Sequence, residues 1–445
     1  MAKGPSMLDQ YAEIKADHPD TILFFRMGDF YEMFYDDAVT AAEVLGITLT
    51  SRDKSSENPV PMAGVPWHSV EGYLQRMLRA GYKVMLCEQA EELQPGEKIL
   101  RRVVTRVYTP GSLYEEELIG EDGSALLAAV VLKGDSLGIA VIDPSSGRAS
   151  STEFDGAGRF ERLRDELLRW APREVVMHGR DAKHETLLTI LRDIEGLVLS
   201  IHDLPSKGRL EALRNVLKMS DLGSLDLDSR PLAMEAAGLA TGYLSKLHLV
   251  DAVPLREIHL GADSTHMLLD QTTLRNLELL LTLSGEKNGS LFQAIDETQT
   301  WMGRRLLKEW LLRPLMNTEQ IAERHSAVGS LVNATRRLRE IRNSLKAMRD
   351  LERLSTRLAY NRANGRDLLA ICDCLSRMPA LQSLLQKSDD ALLNACAEGL
   401  VDLEPLKERI EDTLLPEQPA LIREGGLFKP GYDEKLDDLR TKAGK

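Results

Sequence analysis

The spacing of apolar residues along this chain changes near residue 251, and that change limits the folds that the chain can adopt. Before residue 251, short strand-like runs alternate with amphipathic helical stretches, a pattern typical of α/β domains. After it, strand-like runs nearly vanish and apolar residues recur at helical spacing, as at Leu274, Leu277 and Leu281. The sequence therefore predicts a multidomain protein in which α/β structure is followed by an all-helical region.

Local composition predicts where the domains meet. A Thr-Pro-Gly-Ser sequence at residues 109–112 interrupts the first α/β pattern, and the acidic residues after it suit an exposed connection. A second α/β pattern opens with two strand-like runs joined by Lys-Gly-Asp-Ser, which favours a β-hairpin. We expect a small mixed α/β domain at 1–112, a second α/β domain at 118–250 and a helical domain at 251–445.

Composition excludes several classes of protein. The chain has four cysteines but no Cys-x-x-Cys pair and no histidines at zinc-binding spacing, so we expect neither a disulfide framework nor a structural metal. The first residues lack a signal-peptide pattern, and the longest apolar run, at 125–132, is far shorter than the roughly 20 residues of a membrane span. These features predict a cytoplasmic protein without a membrane partner.

Charge is distributed unevenly along the chain. The formal net charge is −13, whereas a generic nucleic-acid binder is usually basic. Residues 300–366 nevertheless carry 15 Lys or Arg against 6 Asp or Glu, a net charge of +9. Arginines at 336–366 are most often the solvated faces of long helices, with direct phosphate contact as the alternative. Any DNA contact in the first domain must depend on individually placed residues.

Aromatic residues are concentrated in one short segment. Of the 8 Phe, 10 Tyr and 4 Trp, six lie at positions 24–35, in FFRMGDFYEMFY. The pattern predicts a strand at 21–25, a Gly-Asp turn and a helix that begins at Phe30, leaving Phe30 at an exposed junction near Glu32. In the alternative interpretation, which periodicity alone favours, Asp29 and Glu32 form a capping box and the aromatic side chains belong to the core.

The segment RMGDFYEMFYDDA at 26–38 closely resembles the mismatch-recognition signature of the MutS family of DNA mismatch repair proteins. Further segments resemble landmarks of that family in the same order: PMAGVPWH at 61–68, TPG at 109–111, LD at 269–270, RNLE at 275–278, GRRLLK at 303–308 with Trp310 and PL at 314–315, and DLER at 350–353. The resemblance covers essentially the whole chain. It implies a mixed α/β mismatch-recognition domain, a ribonuclease-H-like connector domain and the first part of a helical core and lever domain.

The resemblance also implies which residues act on DNA. Phe30 would enter the minor groove, stack on the mispaired base and kink the duplex, while Glu32 would hydrogen-bond that base. Double-stranded DNA with mismatches or small loops would be favoured, because a mispaired step resists kinking less than a paired one. The nearby cations expected to contact DNA phosphates, if they are not simply solvated, are Arg26, Arg52, Lys54 and Arg76.

Other activities of the family fall outside these residues. The sequence contains no G-x-x-x-x-G-K-[ST] phosphate loop, so we expect no catalytic residue, no cofactor and no enzyme activity. Full-length members of the family bind ATP and Mg²⁺ in a C-terminal ATPase. The resemblance also implies that the full-length protein forms a homodimer and acts with a downstream MutL-type repair partner. Because the last amphipathic pattern continues to Lys445, we expect the chain to stop inside the core domain, before the DNA clamp.

Two alternative functions remain. The chain could be a scaffold or regulatory fragment of the same family that binds partner proteins through residues 120–250 and binds no mismatch. The Phe-x-Glu pair weighs against this alternative, since family members without mismatch recognition lack it. Asp143 resembles the first catalytic aspartate of ribonuclease-H-like nucleases, but the Pro-Ser-Ser-Gly that follows it and the lack of an accompanying acidic set favour a turn residue.

Overall fold

The structure of this chain is a computed structural model, and it contains two compact units, Met1–Leu260 and Gly261–Lys445. The predicted order, mixed α/β structure followed by a helical region, is confirmed. The structure describes residues 6–52, 58–89, 101–119, 125–217, 230–250, 253–260, 266–267, 269–419 and 422–443.

The first part of unit one is a six-stranded sheet with helices on its faces. Its elements are α1 (Met7–Asp17), β1 (Thr21–Met27), β2 (Phe30–Phe34), α2 (Tyr35–Leu45), β3 (Thr50–Arg52), β4 (Val60–Pro66), a 3-10 turn (Trp67–Ser69), α3 (Val70–Arg79), β5 (Lys83–Gln89), β6 (Arg102–Tyr108) and α4 (Glu116–Ile119). The strand order is β3-β4-β2-β1-β5-β6; β1 and β5 are parallel and all other neighbours are antiparallel.

Helices lie on both faces of this sheet. Side chains of α2 and α3 form a core with Phe24, Tyr31 and Met33 on one face. On the other face, Tyr11 of α1 packs edge-on against the rings of Phe25 and Phe34. The strands β1 and β2 therefore lie between two layers of helix.

β1 and β2 form a hairpin, so the predicted helix start at Phe30 is wrong. Phe30–Phe34 is a strand that pairs with β1 and β4, and the helix begins at Tyr35. The capping-box interpretation is also wrong, because Glu32 lies inside the strand. Aromatic residues favour a pleated strand, and pairing with the sequence-distant β4 decides between the two periods. Gly28 in the turn has a φ of +59°, which glycine adopts at little cost.

The second part of unit one is another mixed six-stranded sheet. Its elements are β7 (Leu127–Lys133), β8 (Ser136–Asp143), β9 (Arg148–Asp155), α5 (Arg159–Trp170), β10 (Glu174–Met177), a 3-10 turn (Asp181–Lys183), α6 (Glu185–Arg192), β11 (Val198–Ile201), α7 (Ser206–Leu217), α8 (Pro231–His248) and β12 (Glu257–Leu260). The strand order is β11-β10-β7-β8-β9-β12.

Strand directions in this sheet follow from its connections. The hairpin predicted between β7 and β8 is present, and β9 continues the antiparallel arrangement. β10 and β11 run parallel to β7, while β12, which lies in the region predicted to be helical, runs parallel to β9. Helix α8 crosses the sheet closely: a Cβ on Gly138 would lie only 2.2 Å from the Leu232 carbonyl oxygen. Glycine is therefore required at this crossing.

The segment predicted to separate the two α/β domains is buried. Residues 109–114 are all buried, and the Ser112 amide donates to the Thr109 carbonyl at 3.1 Å. The Gly111 amide donates to the carboxylate of Glu174 on β10 at 3.0 Å. The two sheets are therefore joined by packed chain at this point, and not by an exposed tether.

Unit two consists of helices in the part that the structure describes, apart from short turns and isolated bridges. The helices are α9 (Gln271–Asn276), α10 (Leu291–Ile295), α11 (Trp301–Leu312), α12 (Thr318–Asn333), α13 (Thr335–Lys346), α14 (Leu351–Ala359), α15 (Gly365–Gln386), α16 (Ala391–Glu398), α17 (Glu404–Thr413), a 3-10 turn (Ile422–Glu424) and α18 (Glu434–Ala443). By length and composition alone α15 could cross a membrane, but it contacts α13, α14, α16 and α17 of this unit.

Candidate nucleic-acid interface

The alternation of β2 places Phe30 and Glu32 on one face of the first sheet. Tyr31 and Met33 point to the opposite face and are buried in the core. Phe30 is 47% exposed, although it is a large apolar residue, and Glu32 is half-buried. The two candidate mismatch contacts are therefore neighbours on one surface.

Gly64 of β4 lies beneath these two side chains. Strand pairing sets Glu32 opposite Gly64. A Cβ built on Gly64 would lie 3.6 Å from Glu32 Cγ and 3.8 Å from Phe30 Cδ1. Because Gly64 has no side chain, the side chains of Phe30 and Glu32 both lie close to the backbone of β4 and share one surface.

Two features of its surroundings shift the pKa of the Glu32 carboxyl in opposite directions. Burial raises the pKa of the Glu32 carboxyl above its ordinary value, while the positive charge of Arg52 opposes the rise. Arg52 ends β3 opposite Val60, and this register puts Arg52 on the same face as Glu32. The net effect is a carboxyl that takes up a proton more readily than an exposed glutamate.

The predicted phosphate contacts occupy different environments. Arg52 lies on the surface of Phe30 and Glu32. Arg76 lies on α3, which covers the opposite face, and its Nη1 donates to the Leu45 carbonyl at the end of α2 at 2.8 Å. Lys54 falls outside the described residues. Of these three, the structure describes two, and Arg52 lies close to the two mismatch candidates whereas Arg76 does not.

Arg26 also lies on the opposite face from Glu32. It pairs with Tyr31 in the hairpin register, and its side chain is only 17% exposed. The guanidinium carbon lies 4.6 Å from the centre of the Trp67 ring and 5.5 Å from that of Tyr31. Arg26 therefore packs behind the hairpin and does not extend from the surface of Phe30.

Arg102 lies on the same face of the sheet as Glu32 but is buried, with 9% of its surface exposed. It lies on β6, and its guanidinium carbon is 5.3 Å from the ring centre of Phe25, which pairs with Glu32. Its Nε donates to the Arg26 carbonyl at 3.4 Å. Only the strand register reveals its position, because no local pattern shows which face of β6 is close to Phe25. We call Phe30, Glu32, Arg52 and Gly64 the wedge face.

The arginines of unit two are largely used within the protein. Arg305 binds Asp350 and Glu352, with both terminal nitrogens 2.7 Å from Asp350 oxygens. Arg357 pairs with Asp367 at 3.0 Å, and Arg336 pairs with Glu340 at 3.0 Å. Part of the positive charge at 300–366 is therefore paired with carboxylates between or along helices.

Asp143 behaves as a turn residue. Its carboxylate accepts hydrogen bonds from the Ser145 amide at 2.9 Å and the Ser145 hydroxyl at 2.6 Å. Among the described residues there is no group of three or more His, Cys, Asp or Glu side chains that could hold a metal ion. This geometry gives no support to the nuclease alternative.

Family models match most of this sequence. The matches are to MutS domain I at residues 5–117, MutS domain II at 125–256 and MutS domain III at 272–442. No further domain of the family is among these matches.

Curated relatives match the chain along its whole length. The DNA mismatch repair protein MutS of Desulforamulus reducens is 38% identical over 447 residues, covering 100% of this chain and 51% of that protein. The MutS protein of Anaeromyxobacter dehalogenans is 39% identical over 436 residues, covering 97% of this chain and 48% of that protein. The chain thus spans about half the length of the curated relatives that it matches.

Proposed function

This chain belongs to the MutS family of DNA mismatch repair proteins and contains its domain I, and from this premise we propose that the wedge face recognises mismatched base pairs in double-stranded DNA. The observation that carries the proposal is the exposure of Phe30 at the end of a hairpin. Phe24, Phe25 and Phe34 in the same aromatic segment are fully buried. An exposed ring on a rigid sheet is suited to insertion between bases.

Phe30 acts as a wedge that tests how easily the duplex deforms. Insertion into the minor groove unstacks one base step and kinks the DNA, which costs a few kcal/mol. A mispaired or looped step has already lost part of its stacking and pairing, so the same kink costs less there. Recognition of this kind depends on local weakness and requires no fixed base sequence.

Glu32 supplies specificity next to the wedge. The approach of DNA phosphates adds negative charge and raises further a pKa that burial has already raised. In its protonated form the carboxyl donates a hydrogen bond to an acceptor on the displaced base. On fully paired DNA no displaced base is present, and the carboxylate is repelled by the backbone.

Arg52 is the cation of the wedge face that contacts the DNA backbone. It lies on β3, on the same face of the sheet as Phe30 and Glu32. Contacts to phosphates fix the position of the protein without reading sequence. Arg26, Arg76 and the buried Arg102 make their described contacts inside the domain, so among the described candidates we assign the phosphate contact to Arg52.

The other family functions belong to the whole protein. We propose that the full-length protein forms a homodimer and acts with a MutL-type partner, as the family membership implies. These 445 residues contain no phosphate loop that could bind ATP and Mg²⁺, so we assign no cofactor-binding residue to this chain.

The test compares binding of a G·T heteroduplex and of its matched homoduplex. Phe30→Ala should lower the ratio of the two affinities about 5- to 150-fold, since stacking of a base on an aromatic ring contributes roughly 1 to 3 kcal/mol. Tyr35→Ala is the matched control, because Tyr35 belongs to the same segment and is 42% exposed, but follows the strand. An unchanged ratio for a folded Phe30→Ala protein would refute the wedge. Equal binding of both duplexes by the unaltered chain would favour a scaffold function.

A further inference from the structure

The turn that presents Phe30 is held by a cluster of side chains on the far side of the sheet. Five groups from five places in the chain meet there: Arg26 at the end of β1, Gly28 in the turn, Tyr31 on β2, Trp67 after β4 and Glu88 near the end of β5. We call these residues the hairpin clamp. No residue of the hairpin clamp belongs to the wedge face.

Arg26 is the centre of the hairpin clamp. Its Nε donates to the Gly28 carbonyl at 2.5 Å, which closes the turn from behind. Its guanidinium lies over Trp67 and near the ring of Tyr31, and its Nη1 is 4.0 Å from a carboxylate oxygen of Glu88. The planar guanidinium thus binds a carbonyl, two aromatic rings and a carboxylate at the same time, which an ammonium group cannot do.

The remaining contacts tie the same groups to the strands on either side. The Tyr31 hydroxyl donates to the other carboxylate oxygen of Glu88, which connects β2 with β5 across β1. The Trp67 amide donates to the Asp29 carbonyl at 3.0 Å, which connects the end of β4 with the turn. Both turn residues between β1 and β2 are therefore held through their carbonyl oxygens.

We propose that Arg26 is a positioning residue, which through the hairpin clamp fixes the turn so that Phe30 can insert; this inference rests on the mismatch-recognition function proposed above. Phe30 can separate stacked base pairs only if the backbone of the β1–β2 turn stays in place when the ring meets the DNA. Residue Phe30 directly follows the clamped turn, so a loose turn would let the ring fold back when it meets a paired step. The charge of Arg26 is needed inside the hairpin clamp and not on DNA.

A substitution series separates positioning from phosphate contact. Arg26→Lys keeps the positive charge but loses the planar fork, while Arg26→Gln loses both. Glu88→Gln weakens the hairpin clamp from its opposite end and leaves Arg26 in place. Arg52→Gln is the control for a phosphate contact. Affinities of the 445-residue chain for the G·T heteroduplex and its homoduplex are measured over a range of salt concentrations.

We expect Arg26→Lys and Glu88→Gln to lower the heteroduplex-to-homoduplex affinity ratio about threefold or more, because a site loosened in its support loses precision. The salt dependence of DNA binding by these two variants should equal that of the unaltered chain. Arg52→Gln should weaken binding to both duplexes, with a salt slope smaller by about 0.9. Exchange of the Trp67 amide hydrogen should be faster in Arg26→Lys, since its acceptor is on the turn.

Opposite results would overturn the inference. If Arg26→Lys keeps the ratio and Arg26→Gln lowers the salt slope as Arg52→Gln does, Arg26 contacts phosphate. If Arg26→Lys fails to fold, Glu88→Gln decides, and an unchanged ratio in that variant refutes positioning. Failure of the proposed function is distinct from both results, because the unaltered chain would then bind the two duplexes equally.

Discussion

Replacement of Glu174 by alanine should weaken the contact between the two α/β sheets of unit one. Glu174 begins β10 and is fully buried. Its carboxylate accepts hydrogen bonds from the Gly111 amide at 3.0 Å, from the Tyr243 hydroxyl at 2.7 Å and from the Ser200 hydroxyl. Burial, together with the negative charge of Glu174, raises the pKa of Tyr243 well above its ordinary value, so its hydroxyl remains a donor.

The size of the effect follows from the donors that lose their acceptor. Each buried donor left without a partner costs about 1 to 3 kcal/mol, so three of them cost about 3 to 9 kcal/mol. The hydroxyls of Ser200 and Tyr243 can turn toward other acceptors, whereas the Gly111 amide is fixed by the backbone. We therefore expect a loss of about 3 to 5 kcal/mol, a large part of the roughly 5 to 15 kcal/mol that stabilises a typical domain.

Urea unfolding of the 445-residue chain measures this loss, and hydrogen exchange of the Gly111 amide locates it. Glu185→Ala is the control, because Glu185 is exposed in the first turn of α6 and should change the free energy of unfolding by no more than about 0.5 kcal/mol. A loss below about 1 kcal/mol for Glu174→Ala, with slow exchange retained at Gly111, would refute the reasoning.

Two further predictions concern Glu32 and Arg305. Burial raises the pKa of Glu32 above its ordinary value of 4.5. The folded state therefore loses stability as the pH rises from 4.5 through the raised pKa. Glu32→Gln should therefore unfold at higher urea than the unaltered chain at pH 7 and at equal urea near pH 3, while mismatch preference falls; destabilisation at pH 7 would contradict this. Arg305→Ala should cost about 1.5 to 3 kcal/mol, because Asp350 and Glu352 lose their charge-assisted hydrogen bonds to Arg305, while Asp350 keeps Arg353 at 3.5 Å. Urea unfolding measures it, and a loss like that of exposed Arg377→Ala would show that the pairing contributes little.

The order of structural classes and several elements of unit one are predicted by the sequence, whereas the strand β2, which carries Phe30 and Glu32, is not. The aromatic residues at 30, 31, 34 and 35 fit a helical period, while those at 30 and 34 together with Glu32 also fit a strand. The choice between the two depends on pairing of β2 with β4, which no local window contains. Where a sequence fits both the helical and the strand period, tertiary contacts determine which element forms.

Errors about individual cations have the same origin. Arg26 and Arg102 differ in the face of the sheet on which they lie, and strand register alone determines this. The segment at 109–112 is predicted as the end of the first α/β domain, but its burial is not, because Thr-Pro-Gly-Ser composition predicts an interruption of regular structure and not its environment. Glu174, its partner across the join, carries no sequence signal of burial at all.

The correction from helix to strand explains why the two candidate mismatch contacts are separated by one residue. On a helix, residues two apart point about 200° from one another, so Phe30 and Glu32 would face different directions. On a strand they point the same way and lie roughly 6.6 to 6.8 Å apart. Tyr31 between them turns inward to join the hairpin clamp. The Phe-x-Glu spacing therefore places a stacking ring and a hydrogen-bonding carboxyl on one surface only because β2 is a strand.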